Sequence, residues 1–181
     1  MASVPLIAGL LVVATVVNWL RKHSWAERVR GPGLYAAIGA GAGLVALVLA
    51  LVIGTPAVEG VTDQAVQWSA YPVVRGSVST FVMVAIVVAV GALATELVLR
   101  GFVVELGREF TRSGPVAVLM GALAEGLLAE GDASMKLGAG VFGLGLGAMY
   151  IASGRSVLAP LCARLTFLLG ALVLEALRVV G

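Results

Sequence analysis

Long apolar runs alternate with short polar breaks along the whole chain. The runs cover Ser3–Leu20, Leu34–Ile53, Ser77–Leu99, Pro115–Ala129, Leu137–Ser153 and Val157–Val180. A helix crossing a bilayer needs about 20 apolar residues, within a range of about 17–25. The first three runs and the last meet that length. The fourth is short and interrupted by Glu125, and the fifth is rich in glycine. A membrane β-strand would alternate with a period of two, which these runs do not. Helices satisfy every backbone polar group internally, as lipid demands. The pattern predicts an all-α integral membrane protein: one transmembrane domain over residues 1–181, built of about six helices.

Composition supports that class. Hydrophobic residues make up 60% of the chain and charged ones 12%, against about 25% charged in soluble domains. Mean hydropathy is +1.07. The single cysteine, Cys162, allows neither an internal disulfide nor a cysteine-rich zinc site. The net charge of +2 does not signal nucleic acid, because the basic residues cluster between apolar runs. That placement is a topology signal. Membrane lipids are expected partners and nucleic acid is not.

The charges also predict an orientation. Arg21, Lys22, Arg28 and Arg30 follow the first run; Arg108 and Arg112 follow the third; Arg155 follows the fifth. These loops share one side. The other side carries Arg75, Lys136 and Arg178 with Glu59, Asp63, Glu130 and Asp132. Positive charge marks the cytoplasmic side, so both termini are expected outside the cytoplasm, in a bacterial inner membrane. The first run has no preceding positive residue and no small-residue cleavage site, so it reads as a span rather than a secretory signal.

Gly54–Gly76 is the longest connection. Thr55-Pro56 fits a helix start, and Val61, Ala65 and Trp68 share a helical face. An interfacial helix over 55–72 is predicted, anchored by Trp68 and Tyr71. Trp19 and Trp25 fall at other predicted boundaries, where amphipathic rings are favoured. Glycines four apart, Gly39 with Gly43 and Gly143 with Gly147, suit close helix packing. The pattern leaves open whether the partner helix belongs to the same chain. No strand precedes them, which argues against a nucleotide-binding loop.

Ionisable groups inside spans cost about 2.5–3.5 kcal/mol each at a helix centre. Glu96, Arg100, Glu125, Arg164 and Glu175 lie in or at the edge of apolar runs. Glu96 and Arg100, four apart, are placed to pair. Glu125 and Arg164 lack opposite charges nearby in sequence and are expected to pair with each other or to meet Glu96. Exchanging the two charges should then restore the assembly that each single variant loses, and a failed rescue would count against a direct pair. Glu175, one turn from Arg178, suits a boundary ion pair. His23 is the only histidine and lies in a loop. The spans therefore offer no usual metal site and no histidine base for a serine or threonine nucleophile. No metal or cofactor of the chain's own is expected.

Thr95-Glu96-Leu97-Val98-Leu99-Arg100-Gly101-Phe102 resembles the Glu-Glu-x-x-x-Arg-Gly-Phe signature of the CAAX protease and bacteriocin-processing family of intramembrane proteases. A charged helix end, Gly114-Pro115 and another span follow, as in that family. Phe142–Leu161 is similar to its glycine-rich span, Gly-Ser-type turn and Ala-Pro helix opening. The resemblance covers residues 77–170 and implies that family's helical bundle. It also implies that most of the catalytic set is gone. The glutamate that activates water falls on Thr95; the second glutamate and the arginine match Glu96 and Arg100. The Phe-x-x-x-His motif falls on Glu125 and Ala129, and the His-x-x-x-Asn motif on Arg164 and Leu168. Hydrolysis needs a base for water and donors for the oxyanion, and Thr95, Ala129 and Leu168 supply neither.

The leading expectation is therefore a catalytically inactive relative acting as a scaffold subunit of a membrane complex. Its partners would be other membrane proteins, with a pigment or lipid cofactor held by them. The alternatives are an active peptidase using Glu96 as base with help from Glu125 or Glu130, and a small transporter or ion-conducting subunit relaying protons through its carboxylates.

Overall fold

The computed structural model describes residues 32–62, 74, 77–131 and 133–177, and every regular element among them is helical. The predicted first span Ser3–Leu20 and the expected anchors Trp19, Trp25, Trp68 and Tyr71 lie outside the described residues. Helix α1 (Pro32–Leu49) passes through a π turn (Ala50–Gly54) into α2 (Thr55–Thr62). Helix α3 (Val78–Val98) passes through a second π segment (Leu99–Val104) into α4 (Glu105–Thr111). Helices α5 (Gly114–Leu128), α6 (Ala133–Ala152) and α7 (Leu158–Ala176) follow. Among the described residues, four continuous helical stretches are long and apolar enough to cross a membrane: Gly33–Ala57, Val78–Thr111, Ala133–Ala152 and Leu158–Ala176. Gly114–Leu128 is a shorter apolar helix. The chain is an all-α membrane protein.

Two boundaries differ from the sequence reading. Thr55 continues the preceding span: its N–H and its hydroxyl both bond back to the Ala50 carbonyl, the hydroxyl at 3.0 Å. Pro56 has no N–H to donate, and the π turn just before it loosens the ladder where an α-helix would require that bond. The third span likewise runs past Leu99 to Thr111. Ser77 caps its start by accepting from the Thr80 N–H at 3.3 Å, and Arg112, at φ 54°, ends it. Apolar residues mark where a helix leaves lipid, not where it stops, and nothing between Arg100 and Thr111 breaks a helix.

Glycine sets the closest helix contacts. α1 and α7 run parallel: Gly39 faces Ala159 and Cys162, Gly43 faces Ala163 and Thr166, and Leu47 faces Gly170. A Cβ on Gly39 or Gly43 would collide with the backbone carbonyl of Ala159 or Ala163. Lipid tails give helices no hydrophobic reason to associate, so such backbone proximity carries the packing. α5 and α6 run antiparallel, with Gly126 against Lys136 and Gly140, Gly143 against Ala122 and Glu125, and Gly147 against Val118. All four glycines singled out from sequence thus meet neighbours of their own chain. Val104, Ala117, Tyr150 and Val157 form a small core where the second π segment, α5, α6 and the start of α7 meet, backed by Leu97 and Ile151. Leu44, Val48 and Val52, and on α3 Val82, Met83, Ile86 and Val90, face outward, as a lipid solvent favours.

Candidate functional site

Four charged side chains from three helical runs close into a ring inside the bundle. Glu96 comes from α3, Arg100 from the π segment one turn on, Glu125 from α5 and Arg164 from α7. Arg164 donates from Nε to Glu96 Oε1 at 2.5 Å and from Nη2 to Glu125 Oε1. Arg100 completes the circuit with ion pairs from Nε to Glu96 Oε2 at 3.3 Å and from Nη2 to Glu125 Oε2 at 2.7 Å. Each carboxylate oxygen therefore faces one guanidinium. Glu96 and Arg100 are fully buried, and Glu125 and Arg164 keep 6% and 11% exposure. Each ion taken from water costs several kcal/mol, repaid only by close opposite charges. Here every nearest neighbour in the ring is an opposite charge, and the like charges stand on the diagonals.

Three contacts brace the ring. Arg100 Nη2 donates to the Gly143 carbonyl at 2.9 Å, which ties in α6. The same glycine makes room for the acid, since a Cβ there would stand 2.7 Å from Glu125 Oε2. The Arg164 guanidinium lies over the Phe142 ring at 5.7 Å, a cation–π distance. Phe142 in turn packs on Phe167 at 4.9 Å between centroids. Sequence reasoning missed these partners: a backbone acceptor carries no residue signature, and Phe142 reads as one more apolar position.

Beside the ring lies a cavity of about 160 Å³, lined by Thr95, Val98, Leu99, Glu125, Leu128, Ala129, Ala139 and Arg164. Three of the positions that the family resemblance assigns to hydrolytic groups, Thr95, Ala129 and Arg164, therefore share one wall system. Leu168 does not line it. Thr95 Oγ1 donates back to the Gly91 carbonyl of its own helix at 2.8 Å. Glu96 is buried away from the cavity, and Glu130 is exposed outside it. Glu175 is buried on α7, and its expected partner Arg178 lies outside the described residues. Among the described residues, no group of His, Cys, Asp and Glu is placed to hold a metal ion.

A second polar cluster, also unforeseen, sits at the end of the bundle where α4 begins and α6 ends. Glu105 Oε1 accepts from the Tyr150 hydroxyl at 3.0 Å. Arg108 lies 3.5 Å from the same oxygen, and Arg155 lies 3.4 Å from Oε2.

No curated protein and no solved structure matches the chain significantly. The model of one family, the Rce1-like type II CAAX prenyl endopeptidases, matches residues 77–169. That stretch carries all four ring residues and every residue lining the cavity. It is just over half of the 181 residues, and the chain belongs to this branch of the CAAX protease and bacteriocin-processing family.

Proposed function

We propose that this chain is a catalytically inactive member of its family and serves as a structural subunit of a membrane protein complex in a bacterial inner membrane. The ionic ring carries the reading. A hydrolytic glutamate must present an oxygen to water, yet both oxygens of Glu96 face arginines and the side chain has no exposure. Both oxygens of Glu125 are engaged as well. Thr95 and Ala129 stand on the cavity wall without a carboxylate or an imidazole. A closed ring fixes the register of three helical runs, and the Arg100–Gly143 bond ties in a fourth, a role for which buried ionic groups are retained in some systems. A subunit that holds a partner needs such a rigid frame.

Gentle extraction from the native membrane followed by mass spectrometry of the intact assembly tests this. A stoichiometric protein partner is expected, and a chain that always emerges alone would sink the obligate-subunit reading. The family match and the place of Glu125 on the cavity wall favour a second reading, an active peptidase. Incubation with a prenylated CAAX peptide separates the two. The scaffold reading expects no cleavage above background; cleavage lost in Glu96→Ala or Glu125→Ala would establish the peptidase instead.

A further inference from the structure

We propose that Arg108 and Arg155 form a clasp for the phosphate of an anionic phospholipid headgroup. Glu105 is the pivot. The buried Tyr150 donates its hydroxyl to Glu105 Oε1, which holds the carboxylate in place. Two arginines 47 residues apart in sequence then converge on it at 3.4 and 3.5 Å. Contacts that long between partly exposed groups are weak, so Glu105 positions the two guanidiniums without saturating them. Arg155 remains 56% exposed and Arg108 36%. A guanidinium is a planar fork of N–H donors that suits phosphate oxygens, and neither arginine makes more than one contact with Glu105.

The backbone supports a purpose for Arg155. It sits in the α6–α7 turn at φ 71°, a left-handed conformation that costs a residue with a Cβ roughly 1–2 kcal/mol. The turn is held around it: the single Ser153 hydroxyl proton is shared between the Tyr150 and Ser156 carbonyls, at 3.0 and 3.1 Å from Oγ. Glycine would fit that conformation better, yet an arginine is held there with its guanidinium 3.4 Å from the Glu105 carboxylate. Arg112, also left-handed at φ 54°, lies one turn beyond Arg108. Among the described residues this end gathers three arginines against Glu105 and Glu109, an excess of positive charge.

Depth selects the ligand. The Val78–Thr111 helix spans 34 residues, roughly 51 Å at 1.5 Å per residue, against a hydrocarbon core of about 30 Å. Its last turns therefore reach the headgroup layer. A phosphate at this depth belongs to a lipid.

The test uses the full chain in nanodiscs of phosphatidylcholine doped with phosphatidylglycerol, with lipids retained after detergent extraction counted by native mass spectrometry. The wild type should retain phosphatidylglycerol over phosphatidylcholine. Arg108→Gln with Arg155→Gln should lower that preference about tenfold or more, and Arg155→Gln alone, at an exposed turn, about fivefold. Lys136→Gln, which removes the same charge at the opposite end, should leave it unchanged. Equal retention of both lipids by the wild type would overturn the proposal, as would an equal loss in Lys136→Gln or unchanged retention in the folded Arg155→Gln variant. Stabilisation by millimolar inorganic phosphate in pure phosphatidylcholine discs, matching that by phosphatidylglycerol, would overturn the lipid assignment in favour of a free anion.

Discussion

The arrangement of the four ring charges decides how each responds to substitution. Removing one member leaves a net charge buried in a medium of low polarity, which costs about 3–5 kcal/mol. Glu125→Gln and Arg164→Gln should each destabilise the chain on that scale. The double variant should cost less than either, because it leaves a neutral Glu96–Arg100 pair. Unfolding titrations in mixed detergent micelles measure all three, and additive losses would show that the ring does not act as a unit. The geometry also corrects the charge-exchange test, in which a failed rescue counts against a direct pair: Glu125 and Arg164 do pair, but within a ring of four. Exchanging Glu125 and Arg164 places an arginine beside Arg100 and a glutamate beside Glu96. That exchange should therefore fail although the native residues touch. The need of these four residues for partners was readable from sequence, because charges in apolar runs are rare. Their closure into one ring was not, because it depends on the π segment that presents Arg100 and on the approach of Gly143.

Glycines on one helix face opposite fates. Gly39 and Gly43 lie against the α7 backbone, whereas Gly41, between them, has nothing within 4 Å. Gly43→Val must push a carbonyl aside and should cost about 1–3 kcal/mol. Gly41→Ala should be neutral or stabilise by up to about 1 kcal/mol, because alanine loses less backbone freedom in a helix. Thermal melts of the two variants check the order, and a larger loss at Gly41 would refute the α1–α7 interface. The spacing of four announced close packing, and the structure supplies the face and the partner. Helix existence was legible for the same reason that helix ends were not. Apolar runs report immersion in lipid, while Thr55 and Arg100–Thr111 remain helical by local hydrogen bonding after the apolar signal fades.

At the scale of the whole molecule, charge is sorted between the two ends. Arg108, Arg112 and Arg155 gather where α4 ends and α7 begins; Glu130 and Lys136 lie at the α5–α6 connection. The positive-inside rule predicts that the arginine end faces the cytoplasm. In a Cys162→Ala background, Glu130→Cys should react with a membrane-impermeant thiol reagent applied outside intact cells. Arg112→Cys should react only after the membrane is opened, and the reverse pattern would invert the topology.

The balance of the ring has one more consequence. Carrying one uncompensated charge across the whole membrane potential is worth about 2.3 kcal/mol per 100 mV, and a charge fixed within the bilayer feels a part of that. Two acids and two bases sum to zero, so an energised bilayer exerts no net pull on the middle of this bundle. A frame built this way holds its helices equally well in a resting and a fully polarised membrane. The loss of any one of the four would make its integrity depend on the energy state of the cell.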